Sequence, residues 1–125
     1  MRKSVLLVED EDSIAFALQF LLERDGYAFR RVATAKDAHA AIRQDPPALV
    51  LLDIMLPGGS GYEICQEIRR DPGLADVKIL VLTASGGPME RRKSMALGAD
   101  AFLSKPFANQ DIRGMVSALV GERAA

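Results

Sequence analysis

The 125-residue sequence predicts an α/β fold, a doubly wound sheet of five parallel strands covered by helices on both faces, and two patterns carry that prediction. Apolar runs of strand length recur at Val5–Val8, Ala48–Leu52 and Val77–Leu82. They are rich in Val, Leu and Ile and lack polar alternation, as strands buried on both faces do. Between them lie segments with helical spacing, and strands alternating with helices imply a parallel sheet with right-handed crossovers.

Taken in order, the first strand, Val5–Val8, leads to a helix in which Ile14, Ala17, Leu18, Leu21 and Leu22 step at i, i+3, i+4, i+7 and i+8. Asp12 or Ser13 is expected to cap it, and Gly26 to stop it. Ala28–Val32 forms a weaker second strand, followed by helical stepping at Ala38, Ala41 and Ile42. After the third strand, Ala48–Leu52, the stepping returns at Gly61, Ile64, Cys65 and Ile68. The fourth strand precedes a helix near Met89–Leu97, and a short fifth strand, Ala101–Leu103, precedes a last helix through Ile112, Met115, Val116 and Leu119. Residues 1–125 read as one domain, with a tail from Gly121 to Ala125 that frays or marks a cut from a longer chain.

Composition narrows the classes of function. With 49% hydrophobic and 26% charged residues the chain is ordinary globular material, and a formal net charge of −1 gives no general attraction to nucleic acid or an anionic membrane. The single cysteine excludes an internal disulfide and fits a reducing compartment. Met1-Arg2-Lys3-Ser4 is basic, yet Val5–Val8 is too short for a signal-peptide core, so a soluble cytoplasmic protein is expected.

The functional signal lies at the strand ends. In an open parallel sheet, ligands gather beyond the carboxyl ends of the strands. The first strand ends in Glu9 and Asp10, the third in Asp53, the fourth in Thr83, and the fifth runs through Ser104 into Lys105. If the first and third strands are neighbours, three carboxylates converge, and two of them about 4 Å apart repel by about 4 kcal/mol at an intermediate dielectric. Oxygen ligands without His or Cys suit a hard cation such as Mg²⁺ or Mn²⁺, and Lys105 supplies a further positive charge. Such a site suits phosphoryl transfer, with a carboxylate as nucleophile and cationic groups on the equatorial oxygens, and Asp53 is the best nucleophile. Helix capping accounts for one or two of these acids, but not for Asp53, Thr83 and Lys105 together.

Four fragments, Val8-Glu9-Asp10-Glu11, Asp53-Ile54-Met55-Leu56-Pro57-Gly58, Leu82-Thr83-Ala84 and Lys105-Pro106-Phe107, stand in order at the ends of four strands. Through them the chain resembles the receiver domain of two-component response regulators, over nearly its whole length. The resemblance implies a flavodoxin-like (βα)5 fold with strand order 2-1-3-4-5 and a phosphoacceptor at Asp53. It implies a Mg²⁺ (or Mn²⁺) ion held by Asp10, Asp53 and the Met55 backbone carbonyl, with Glu9 acting through metal-bound water. It also implies that Thr83 and Lys105 bind the phosphoryl oxygens, that Ala84 keeps the site accessible, that the Lys105–Pro106 peptide is cis, and that Phe102 is the switch aromatic. The implied phosphodonor is a histidine kinase or a histidine phosphotransfer protein. The implied target is a downstream protein or a fused output domain, with no direct nucleic-acid or membrane binding. Glu9 stands where the commonest pattern has aspartate, a longer acid that still reaches a metal-bound water.

A receiver of this kind catalyses only its own phosphorylation and dephosphorylation. A phosphoryl group adds up to about two negative charges. Moving a switch from 1:99 to 99:1 takes about 5.5 kcal/mol, which two charge-assisted contacts of about 1.5–3 kcal/mol each approach. Met55 and Ser85, two residues beyond Asp53 and Thr83, are positions that in this family govern water access, and Met55 offers no hydrogen bond to a water, which predicts slow self-dephosphorylation. The alternatives are a Mg²⁺-dependent phosphohydrolase, a pseudo-receiver acting only as an interaction module, and a flavin-binding protein of the same fold, the last opposed by the acids at Glu9–Asp12 where a cofactor phosphate needs positive charge.

Other features have plainer readings. Phe16 and Phe20 lie roughly opposite the apolar stripe of the first helix, as a docking patch for the phosphodonor or as partners of the last helix. Arg91, Arg92 and Lys93 read as a solvated basic face, His39 as a surface residue, Gly58–Gly61 as turn and helix entry, and Cys65 as core.

Overall fold

The computed structural model describes residues 3–84 and 87–121. Its main sheet has five parallel strands, numbered along the chain as β1 (Ser4–Val8), β2 (Ala28–Val32), β3 (Leu49–Asp53), β4 (Lys78–Thr83) and β5 (Ala101–Ser104). Their spatial order is β2-β1-β3-β4-β5, the predicted flavodoxin-like arrangement. The helices are α1 (Asp12–Arg24), α2 (Ala35–Gln44), α3 (Gly61–Arg70), α4 (Pro88–Ala96) and α5 (Asn109–Val120). Predicted bounds are met to within a residue or two where the apolar runs are long. The third strand extends one residue further than expected, so Asp53 is its last member, in register with Leu82 of β4.

Alternation along the strands divides the core. Leu6, Val8, Val50, Leu52, Ile79 and Val81 face one side with α2 and α3, while Val5, Leu7, Leu49, Leu51, Leu80 and Leu82 face the other with α1 and α5. All five residues of β3 are buried, and each buried Leu there contributes about 1.5–3 kcal/mol. On α1 the buried stripe is Ala15, Leu18, Leu21 and Leu22; Ala17, expected inside, is exposed. Ala15 stands three residues before Leu18 and faces the sheet with it, whereas Ala17 is turned about 100° away. Neither Asp12 nor Ser13 caps α1. Glu11 holds that position without a side-chain bond, and Asp12 is the first helical residue. Gly26, at φ 93°, stops the helix as expected.

Two arginines tie the layers at the periphery. Arg69 of α3 donates to the carbonyls of Gly98 (2.9 Å) and Val77 (2.8 Å) and to the Asp100 carboxylate (2.7 Å), which also accepts the Ile79 amide. Arg113 of α5 grips Asp25 beyond α1 with two nitrogens. His39 is not a free surface residue: its Nδ1 lies 2.7 Å from Glu67 of α3, a carboxylate it shares with Arg43. Lys93 is likewise not merely solvated, its ammonium resting 4.3 Å from the centre of the Tyr62 ring. Cys65 is fully buried in the α2–α3 core, where burial raises its pKa to about 11. Among the described residues no helix is long and apolar enough to cross a membrane.

The segment between β3 and α3 forms a miniature antiparallel ladder, Met55–Leu56 against Gly59–Ser60, with Gly58 at φ 75° in its turn. Gly61 then donates its amide to the Ile54 carbonyl at 2.9 Å, and a Cβ there would meet Asp53 O at 2.4 Å and Ile54 Cα at 2.8 Å. These are backbone atoms of Asp53 and Ile54, so Gly61→Ala is expected to lower stability by about 2 kcal/mol in urea unfolding. Gly114, in the interior of α5, gives the opposite control, because a Cβ there would meet nothing within 4 Å: Gly114→Ala raises stability by about 0.7 kcal/mol. A Gly61→Ala midpoint at or above native would contradict the first expectation, and a Gly114→Ala midpoint at or below native the second.

Candidate functional site

The site stands at the carboxyl end of the sheet, where β3, β4 and β5 end in Asp53, Thr83 and Ser104 and β1 is followed directly by Glu9. Parallel pairing of Val8 with Leu52 places the residues after β1 beside the end of β3. Glu9 follows directly and is only 1% exposed, while Asp53 is 6% exposed. One carboxylate oxygen from each of Glu9, Asp10 and Asp53 lies within 4.8 Å of the others. Lys105, reaching across from beyond β5, sits 2.6 Å from Glu9 Oε1 and 3.0 Å from Asp53 Oδ2. The remaining oxygens are also engaged, Asp53 Oδ1 by the Met55 amide at 3.1 Å and Glu9 Oε2 by the Glu11 amide at 3.2 Å. Asp10 is exposed, and among the described residues its carboxylate has no hydrogen-bond partner.

Thr83 is fully buried as the last residue of β4, in register with Ser104, and its carbonyl accepts the Lys105 amide at 2.8 Å. The same backbone bond anchors the segment that delivers the Lys105 side chain. The Lys105–Pro106 peptide is cis, as expected. Ala84, expected to leave the site open, is exposed. Phe102 is not at the rim. It is buried against the α2–α3 core, in register with Val81. Ser85 lies outside the described residues. Met55 projects outward, 70% exposed, and Phe16 and Phe20 are 75% and 64% exposed, so packing against α5 is set aside for that pair.

Electrostatics explain why these groups stay together. Burial raises the Glu9 pKa above the usual 4.5, and the nearby charge of Asp53 adds to the rise, while Lys105 and the Glu11 amide oppose it without cancelling it. For Lys105, burial is the largest single influence and favours the neutral amine. Hydrogen bonds and attraction from Glu9 and Asp53 together outweigh it, so the pKa is raised above 10.5 and the ammonium persists. Its stabilising contribution is therefore fully present below 10.5 and is lost only as pH climbs through the raised value. Three carboxylates and one ammonium leave the cluster with excess negative charge. An all-oxygen donor set without His or Cys fits a hard divalent cation such as Mg²⁺.

One participant carries no functional motif in the sequence: Arg31 of β2, whose guanidinium Nε donates to the Glu9 carbonyl at 2.9 Å. The available signal is two adjacent arginines, Arg30 and Arg31, in a strand otherwise apolar.

The fold and this arrangement of acids, hydroxyl and lysine are those of a receiver-type signalling module. A family model, the response regulator receiver domain, matches residues 5–117, so the chain belongs to that family and serves two-component signalling. The phosphate regulon transcriptional regulatory protein PhoB of Rhizobium meliloti (strain 1021) is 33% identical over 120 residues, 96% of this chain and 53% of that protein. The chain thus spans about half the length of that relative. A putative response regulator from Chloroflexus aurantiacus J-10-fl superposes with a TM-score of 0.92 at 31% identity, covering 98% of this chain and 100% of that one. The receiver domain of sensor histidine kinase PA1611 from Pseudomonas aeruginosa PAO1, with a magnesium ion coordinated in its active site cleft, superposes at 0.88 and 26% identity, covering 98% and 100%.

The Glu9 shift has a measurable sign. In metal-free buffer the folded chain takes up a proton at Glu9 before the unfolded chain does, so the native protein gains stability relative to Glu9→Gln as pH falls through the raised value towards the usual 4.5. The difference shrinks again as pH rises through the raised value. Urea midpoints of the two proteins across this range check it, and a pH-independent difference would remove the shift.

Proposed function

We propose that this chain accepts one phosphoryl group on Asp53 from a phosphohistidine donor, a histidine kinase or histidine phosphotransfer protein, in a Mg²⁺-dependent reaction in the cytoplasm. The observation that carries the reading is the state of Asp53: a carboxylate at the end of a central strand, bonded to Lys105 and to the Met55 amide, with two further acids beside it.

Each residue has a distinct task. An Asp53 oxygen attacks phosphorus, the P–N bond to the donor imidazole breaks, and an acyl phosphate forms. Lys105 has three N–H donors, two of them directed at Glu9 and Asp53, and follows the charge onto the phosphoryl oxygens. The Thr83 hydroxyl binds another of those oxygens. Glu9, Asp10, Asp53 and the Met55 carbonyl would hold the ion. Bound there, Mg²⁺ offsets the negative charge of the transferring group. Chemistry ends at one phosphoryl per chain, since these groups serve transfer to the protein itself rather than turnover of phosphate esters. Thr83, drawn towards the phosphoryl group, alters packing beside Phe102, and a surface there meets a downstream protein or output domain.

Intact-mass measurement after incubation with acetyl phosphate and Mg²⁺ tests the core of this reading. The native chain gains one phosphoryl mass and Asp53→Ala gains none; equal labelling of both, or none of either, refutes it. Met55 sits at the mouth of the site and presents no hydrogen-bonding group, so Met55→Asn is expected to shorten the phosphoryl half-life about fivefold, the rate equivalent of one bond worth about 1 kcal/mol. A native half-life equal to or shorter than the variant's would eliminate this role.

A further inference from the structure

The end of β2 grips the acidic loop from outside. Val32 accepts the Glu9 amide at 3.0 Å, and Arg31 Nε donates to the Glu9 carbonyl at 2.9 Å, so consecutive residues of one strand hold both polar groups of the residue 9 backbone. Arg31 Nη1 continues to Asp12 at 2.9 Å. Asp10 is thus bracketed by two fixed residues while its own carboxylate stays unengaged among the described residues.

Two observations separate this from an ordinary surface ion pair. Asp12 is 92% exposed, and pairs so exposed add little to stability. The third guanidinium nitrogen, Nη2, is buried and has no hydrogen-bond partner among the described residues. Leaving such a donor unsatisfied is costly, so the side chain is held where it is by its hold on the loop rather than by its own hydrogen-bonding needs. The loop needs such a tie: Glu9, Asp10, Glu11 and Asp12 are four successive acids. Lys105 neutralises the acidic cluster from the inside, at Glu9 and Asp53, and Arg31 holds its loop from the outside, at the Glu9 backbone.

We infer that Arg31 is the positioning residue of the ion-binding loop: by fixing the Glu9 backbone it sets the direction in which Glu9 and Asp10 present their carboxylates to a divalent cation. The inference rests on the Mg²⁺-dependent reading above. Arg31 touches neither ion nor phosphoryl group, so its loss acts on affinity for the ion and not on chemistry once the ion is bound.

Calorimetric titration of the protein with Mg²⁺ alone, paired with acetyl phosphate labelling at saturating Mg²⁺, tests this. Arg31→Ala is expected to bind Mg²⁺ about tenfold more weakly, as loss of groups supporting a metal's ligands typically does, while labelling at saturation stays within about twofold of native. Arg31→Lys, which reaches one acceptor but not both, falls between them and carries the comparison if the alanine variant does not fold. Asp12→Asn keeps native affinity, because the contact with the Glu9 carbonyl remains. Native affinity in Arg31→Ala, labelling that stays slow at saturating Mg²⁺, or an equal loss in Asp12→Asn overturns the assignment. Failure of the native chain itself to bind Mg²⁺ overturns the functional reading first, which distinguishes the two failures.

Discussion

A single ammonium group holds the functional end of this protein together. Two carboxylates, on Glu9 and Asp53, are buried at the rim of a sheet whose strands are otherwise apolar, and Lys105 is shared between them at 2.6 and 3.0 Å. Removing one member of so buried a set leaves an uncompensated charge, which is far more costly than the intact arrangement is favourable. Strand order follows from the same constraint. Only with β1 beside β3, and β5 close enough through β4 to deliver Lys105, do residues 9, 53 and 105 meet. The price is excess negative charge at a solvent-facing edge, and that excess makes the edge receptive to a hard cation.

The opposite end of β4 and β5 is secured by other means. Arg69 binds Gly98, Val77 and Asp100, and Asp100 in turn accepts the Ile79 amide, so the starts of both strands are fixed to α3. A Cβ on Gly98 would lie 2.4 Å from Arg69 Cγ, and its φ of 110° also favours glycine. At the rim, the same two strands are held through Thr83 and Lys105. Phe102 lies between the two anchorages, buried in the core shared with α2 and α3, where any displacement of Thr83 must be absorbed by side-chain packing.

Local patterns in the sequence sufficed for features that local physics determines. The long apolar runs of β1, β3 and β4 are legible because both faces are buried, Glu9, Asp10, Asp53 and Thr83 are legible because they close or follow such runs, and Lys105 is legible at the end of the short fifth strand. Features decided by distant partners were not. Asp12 looks like a helix cap until Arg31, nineteen positions away, claims its carboxylate. His39 looks like a surface residue until α3 brings Glu67 to it. The misplacement of Ala17 is a matter of phase: Ile14, Leu18 and Leu21 define the stripe equally well with Ala15, and the sheet's position decides between the two alanines. Arg31 carried only a faint signal, because an arginine in an edge strand is ordinary until its contacts are known.

Cys65 has a consequence of a practical kind. It is the sole thiol of the chain, enclosed in the core with its pKa raised to about 11, so at neutral pH only about one molecule in ten thousand carries the reactive thiolate, and that one is shielded. While the fold is closed the protein is blind to alkylating reagents; once α3 parts from the sheet, it is not. The molecule therefore contains its own clock for spontaneous opening, readable by maleimide capture, and a clean background for a spectroscopic label introduced elsewhere on its surface.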